Sequence, residues 1–354
     1  MKTKLLITLV VALMLVVTAC APKATPASPA TAEPVATEEP VAAEPTLRDL
    51  QGGKPFIYTG NLFAHPVIKM MMLGWYDACR DYDVECKFIV APGADEASLI
   101  DSINQAVAYG SSGILASSYE QYRETVLNVY RAGIPVIGQH GDLSEIPDAD
   151  KNQETTGLIG WVGPQAKLYG AQVADALFAK DGCVSPVIVT QSSINTTEDR
   201  ANLGFHDKWL ELCPESKILE TQLEGLEPVE AIAKVSAVLL ANPDLKAAFG
   251  TTGGSINAWG KAMQQAGFEM GQVTMFGMDA TSENIDMVRS GWVYAIVNQP
   301  IYEENYRAVE LLIAHLKGEP VEFDNPLPSS IVTVDGLDSL EELAKRSLTD
   351  LPSE

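Results

Sequence analysis

Positive charge is what this sequence has least of. Its 354 residues carry 24 Lys and Arg against 47 Asp and Glu, a formal charge of −23. That balance argues against nucleic acid as a partner, because sequence-independent binding needs cations to neutralise phosphates. It favours solubility and says little about the fold. No CxxC pair occurs, and the four histidines, His65, His140, His206 and His315, are scattered, so no metal site is expected. Catalytic signatures are missing too: there is no GxSxG elbow, no HExxH and no glycine-rich dinucleotide loop. The stretch from Gly254 to Ala262 imitates a phosphate loop, but its spacing is one residue too long, and Ala262 stands where a magnesium-binding hydroxyl is required. Neither an enzyme nor a cofactor is expected. Long apolar runs are also absent: the longest, Leu5–Val17, has thirteen residues, whereas a membrane span needs about 20.

That short run suits a signal-peptide core. Lys2 and Lys4 precede it, and Val17-Thr-Ala-Cys20 closes it in the manner of a bacterial lipobox, where cleavage before the cysteine leaves a lipid-bearing N-terminus. An ordinary secretory signal ending in cysteine is the plainer alternative. With Cys20 assigned to lipid, Cys79, Cys86, Cys183 and Cys213 remain, an even set in a compartment where disulfides persist. The local choice among three connectivities pairs 79 with 86 and 183 with 213; four buried free thiols are the other reading. From Ala21 to Thr46 the chain is almost entirely Ala, Pro, Thr, Glu, Val and Ser. Such a segment cannot bury a core and should be an extended, solvated tether.

The folded part opens with Pro55-Phe-Ile-Tyr-Thr-Gly60, a polar loop through Asn61 to His65-Pro66, and a long helical pattern. From there apolar strand candidates and amphipathic helices alternate without interruption. The pattern runs in two successive series and predicts an α/β fold of parallel sheets covered by helices on both faces. The chain is long enough for two lobes with separate cores. The expected division is a leader over 1–19, a lipidated cysteine and tether over 20–53, an N-terminal lobe from 54–161 with 299–329, a C-terminal lobe from 162–298 with 330–346, and a tail over 347–354. In open α/β sheets ligands meet the loops that leave the carboxyl ends of the strands. Those loops carry Asn61, Phe63, His65, His140, Asp142, Trp161, Asp199, Arg200, Thr252, Asp279 and Asn298. Planar polar groups with an aromatic face suit hydroxyl-rich ligands. Structural roles compete for several of them: a helix cap for Asp279, a satisfied loop histidine for His140, hinge packing for Trp161, and an ion pair with Glu198 or Asp199 for Arg200.

His65-Pro-Val-Ile with Gly74, Ile103-Asn-Gln-Ala-Val-Ala-Tyr-Gly-Ser-Ser-Gly-Ile114, Ala132-Gly-Ile-Pro-Val-Ile137 and Phe276-Gly-Met-Asp279, in that order, resemble the ribose and galactose class of type I periplasmic sugar-binding proteins. The resemblance covers about Pro55 to Val334. It implies two doubly wound, Rossmann-like lobes joined by a three-strand hinge, closing around one sugar and delivering it to the permease subunits of an ABC transporter. It assigns the family's aspartate to Asp279, its hinge amide to Asn298, and the polar position before proline to His65. His140-Gly141 replaces the usual Asp-Arg pair, Val67-Ile68 replaces an aromatic pair, and Arg200 fits the family arginine only with a one-residue shift, so the ligand should not be held as ribose is. The expectation is a monomeric, lipid-anchored extracytoplasmic receptor for a monosaccharide. Two alternatives stand beside it: a nucleoside or signalling-molecule receptor feeding a sensor, and an anchored sugar enzyme using Asp142 and Asp279.

Overall fold

The computed structural model describes residues 44–352 apart from 61, 94 and 118–121. The leader, Cys20, most of the tether and Asn61 therefore lie outside the described residues. The chain joins the fold earlier than the expected boundary at 53. Helix α1 (Leu47–Gln51) is held by a capping box between Thr46 and Asp49. Arg48 pairs with Asp83 and Glu85, and the buried Gln51 amide exchanges hydrogen bonds with the Glu85 backbone.

Among the described residues, twelve strands form two six-stranded sheets. The first series gives β1 (Phe56–Gly60), β2 (Cys86–Val90), β3 (Gly113–Ser117), β4 (Val136–Gln139) and β5 (Gly160–Pro164). The second gives β6 (Val187–Gln191), β7 (Gln222–Leu223), β8 (Ala247–Gly250), β9 (Thr274–Met278) and β10 (Ala295–Asn298), followed by β11 (Asp324–Leu327) and β12 (Ser330–Thr333). The sheet orders are β11-β5-β4-β3-β1-β2 and β12-β10-β9-β8-β6-β7. All pairings are parallel except β12 against β10. Fully buried strands such as β1, β6 and β9 read as near-continuous apolar runs because helices cover both faces.

Around the sheets lie α2 (Pro66–Asp81), α3 (Glu96–Tyr109), α4 (Arg123–Arg131), α5 (Gln153–Thr156), α6 (Ala166–Asp181), α7 (Thr196–Leu212), α8 (Pro228–Ala241), α9 (Ser255–Gln265), α10 (Ser282–Arg289), α11 (Ile301–Leu316) and α12 (Asp338–Thr349). The chain crosses between lobes three times, after β5, after β10 and between β11 and β12. Each of the first two crossings hands over a helix: α6 packs on α7 in the C-terminal lobe, and α11 packs on α2 in the N-terminal lobe.

The two handed-over helices sit in matching ways. Gly74, the ninth residue of α2, lies against the backbone of Tyr302, the second residue of α11; a β-carbon there would collide with the Tyr302 carbonyl. Gly204, the ninth residue of α7, lies in the same way against Lys167, the second residue of α6. The fourth residues of the two crossover helices, Glu304 and Tyr169, are thereby brought over the strand ends, and both are buried. Cys79 is bonded to Cys86 and Cys183 to Cys213.

The edge of the second sheet beyond β6 is reduced to one bridge at Ile218 and the two-residue β7. At this sheet edge the chain offers few apolar residues to bury. Strand β11 was not legible, since Asn325-Pro326 reads as a turn; a proline is tolerated there because the strand is at an edge. Nor does α12 fit the expected division. Its Leu340 and Ala344 enter the C-terminal core, while Leu343 packs on the N-terminal core and Arg346 pairs with the buried Asp77 of α2 at 2.5 Å. It bridges the two lobes. Among the described residues no helix is long and apolar enough to cross a membrane.

Candidate functional site

Two residues stand at equivalent places in the two lobes. His140 directly follows β4 and Asp279 directly follows β9, and both strands are third in their sheet orders. Each has a left-handed backbone, with φ of 68° and 64°. Each N–H bonds to the neighbouring strand, His140 to the Val162 carbonyl at 3.2 Å and Asp279 to the Val297 carbonyl at 3.0 Å. A left-handed conformation in a residue with a β-carbon costs about 1–3 kcal/mol and collects at functional sites. The duplicated geometry places one polar residue from each lobe just past a strand end.

Around these two lies a buried polar set. The Glu304 carboxylate accepts from the Gln139 amide at 2.8 Å and meets His140 Nδ1 at 3.1 Å. Asp279 accepts from Gln299 at 3.1 Å, and its backbone carbonyl accepts from Asn284 at 2.9 Å. Glu198, at the start of α7, accepts from the Ser192 backbone and hydroxyl, from Thr251 at 2.7 Å and from Asn195 at 2.7 Å. The lobes meet at this point: a β-carbon built on Gly253, after β8, would lie 2.7 Å from the Asp279 carboxylate and 3.1 Å from Val67 of α2.

The electrostatics follow from burial in close company. Burial pushes the Asp279 carboxyl up to about 6, against the pull of His140 and the Gln299 hydrogen bond. Burial alone would lower His140, but the charge and hydrogen bond of Glu304, with Asp279 and Glu198 beyond, hold it above its ordinary value. Burial also raises Glu198, partly offset by its hydrogen bonds. Glu224 is pushed up to about 7 by burial, against the Ser255 hydroxyl that bonds it. A carboxyl raised above its unfolded value takes up protons on folding, so its contribution to stability is greatest at low pH and is lost as pH rises through about 7. Glu224→Gln should therefore raise the unfolding free energy by about 3 kcal/mol at pH 8 and by only about 1 kcal/mol at pH 5, where the folded carboxyl keeps its proton. Urea melts at the two pH values check this; equal effects at both would contradict it.

The remaining sequence-predicted residues divide. Asp142 and Arg200 hold each other, with Oδ1 to Nη1 at 3.1 Å, and Arg200 also reaches Glu145 at 3.6 Å. Asp142 accepts from Ser144 and from the Ala166 backbone at 2.9 Å, so it caps α6 from the opposite lobe. This pair is an inter-lobe clasp, and the two-carboxylate enzyme reading loses its first member. Arg200→Met would leave the buried Asp142 without its cation and should lower the unfolding free energy by about 3 kcal/mol; a shift below about 0.5 kcal/mol in urea melts would contradict the clasp.

Trp161 is fully buried, with its ring in the N-terminal core and its N–H on the Gly141 carbonyl, so it offers no face to a ligand. Asp199 is exposed and accepts from Gln191 at 2.8 Å. His65 caps α2, its Nδ1 accepting from the Val67 N–H at 3.3 Å, and burial lowers its pKa. Phe63 packs half-buried on the N-terminal core. Thr252 and Asn298 are half-buried beside the site, and the hinge amide that reaches Asp279 is the next residue, Gln299. Sequence reasoning missed Glu304 and Gln299. A signal for Glu304 existed: it falls on the stripe Ile301, Asn305, Ala308, Leu312, which is otherwise mostly apolar and is buried, where a carboxylate needs a reason.

Two α/β lobes that present polar groups to each other from their strand ends have the arrangement in which a ligand is met between lobes. Residues 57–320 match the periplasmic binding protein domain, and the chain belongs to that family, one of extracytoplasmic solute receptors rather than enzymes. It is 26% identical over 216 residues to the ABC transporter periplasmic-binding protein YphF of Escherichia coli K12, covering 59% of this chain and 64% of that protein, just under two thirds of its length. Its fold is similar to a solute-binding protein from Agrobacterium vitis bound with α-D-tagatopyranose, with TM-score 0.74 and 20% identity over 82% of this chain and 99% of that one. It is also similar to a solute-binding protein from Burkholderia graminis in complex with D-arabinose (0.73, 18%, 80% and 97%) and to GanP, a glucose-galactose binding protein from Geobacillus stearothermophilus (0.70, 18%, 80% and 99%).

Proposed function

We propose that this chain is the lipid-anchored solute-binding subunit of an ABC importer, taking a monosaccharide or similarly polyhydroxylated molecule between its lobes. The observation that carries the reading is the paired strand-end geometry of His140 and Asp279, with Glu304 and Gln299 beside them. Buried acceptors on both lobes suit a ligand with hydroxyls on both faces. Closure is then a population shift, since a ligand that touches both lobes stabilises only the closed arrangement. The YphF relationship and the sugars bound by proteins of the same fold support this choice. Support for the anchor comes from the sequence alone, from Lys2 and Lys4, the apolar run and Cys20.

A thermal-shift screen of the chain from Pro45 onward against pentoses, hexoses, polyols and nucleosides tests it. A ligand at 100 times its Kd adds about 2.7 kcal/mol of stability, a shift of several degrees. One sugar class should raise the melting temperature. Stabilisation by nucleosides alone, or by nothing in the panel, would overturn the sugar reading.

A further inference from the structure

The unpartnered atoms of the site are all of one kind. Gln139 and Gln299 each give their amide N–H to a carboxylate, so their orientations are fixed and their Oε1 atoms are left over. Both Oε1 atoms are buried without a partner, as is Oε1 of Glu304, a residue with no exposed surface. These are three acceptors facing no donor. A buried acceptor without a donor costs about 1–3 kcal/mol, more when charged.

Charge is out of balance in the same direction. Among the described residues His140 is the cationic group paired with Glu304, and Asp279 and Glu198 add further negative charge near it. Arg200, the arginine expected here, is committed to Asp142. A neutral sugar hydroxyl donates once and accepts up to twice, so a site built for neutral sugar should supply donors as well as acceptors. This one supplies acceptors in excess and leaves negative charge uncompensated, which buried carboxylates do not tolerate without a cation or a proton.

We infer that the ligand carries a cationic amine on its polyhydroxyl frame, an amino sugar or cyclic imino sugar, with the ammonium seated among Glu304, Asp279, Gln139 and Gln299. The inference rests on the sugar-receptor reading above. It accounts for the unpartnered acceptors and the excess charge together, and the high-lying Asp279 carboxyl is the state such a cation would relieve.

Isothermal titration calorimetry of the chain from Pro45 onward at pH 7 tests it. The probes are glucose, galactose and mannose, their 2-amino-2-deoxy and N-acetyl counterparts, and deoxynojirimycin. An amine-bearing member should bind at least about tenfold more tightly than its neutral parent, the effect of one charge-assisted buried hydrogen bond. Glu304→Gln should bring that ratio close to one. A second reading needs no variant: in the unmodified protein, amine affinity should climb between pH 5 and 7 as Asp279 ionises, while neutral-sugar affinity stays flatter. The groups that face Asp279 there are His140 from β4, Glu304 from α11, Glu198 from α7, Gln299 from the hinge and Asn284 from α10. Neutral sugars binding as tightly as their amines would overturn this inference and leave the receptor reading standing. Binding by none of these probes would overturn this inference, and the receptor reading falls with it only if the wider screen of pentoses, hexoses and polyols is also blank.

Discussion

Asp279→Asn is expected to weaken binding of the sugar ligand by about a hundredfold, with little loss of folding stability. The substitution keeps the shape of the side chain, and asparagine tolerates the left-handed backbone that this position requires, with φ of 64°. Helix α10 starts with Thr281 as its cap, so Asp279 is not needed there. What the variant loses is charge: a buried carboxylate hydrogen bond is worth about 1.5–3 kcal/mol, and roughly 2.7 kcal/mol is a hundredfold in Kd. The amide also presents a donor toward Gln299, which now gives its own N–H to Asp279 at 3.1 Å. Calorimetric Kd values for the two proteins check the result. Affinity within about threefold of the original would remove Asp279 from the site, and urea melts of both proteins separate that outcome from misfolding.

Gly204→Leu and Gly74→Leu are each expected to cost about 3 kcal/mol or more of folding stability. In both places a β-carbon would run into a backbone carbonyl of the facing helix, which cannot rotate aside as a side chain can. Overpacking in a tight core commonly costs about 1–3 kcal/mol, and a backbone obstacle puts these substitutions at or above the top of that range. Their functional effects should differ in kind. Gly74 sets the approach of α11 and hence the position of Glu304; Gly204 sets α6 and hence Tyr169 and the Asp142 cap on Ala166. Ligand affinity measured at a temperature where each variant is still folded should fall more for Gly74→Leu. Unfolding free energies from urea melts within about 1 kcal/mol of the original would contradict the close-approach reading.

The fold was legible because buried parallel strands leave uniform apolar runs, and helices between them keep a 3.6-residue period. It was least legible at the sheet edges, where β7 and β11 have little to bury and so little pattern to leave. The site was partly legible. His140 and Asp279 follow apolar strands directly, and strand ends are where ligands meet this class of sheet. Asp142, Arg200 and Trp161 follow strands too, or lie near them, but their partners are far off in sequence. Asp142 and Arg200 are 58 residues apart, and no local pattern announces that they satisfy each other. Glu304 was hidden for the opposite reason, since a helix otherwise apolar on that face reads as core. Gln299, rather than Asn298, reaches Asp279 because the chain leaves β10 at Asn298, and the next side chain turns toward the C-terminal lobe. The lipid anchor and Asn61 rest on sequence alone.

The central claim is that one polyhydroxylated ligand is gripped by matching strand ends of the two lobes. A crystal structure of the chain with the tightest-binding sugar of the panel tests it most directly. The account predicts that sugar between the lobes, within hydrogen-bond distance of both Asp279 and the His140–Glu304 pair. A sugar bound on one lobe alone, or in the cleft without touching Asp279 or Glu304, would contradict it.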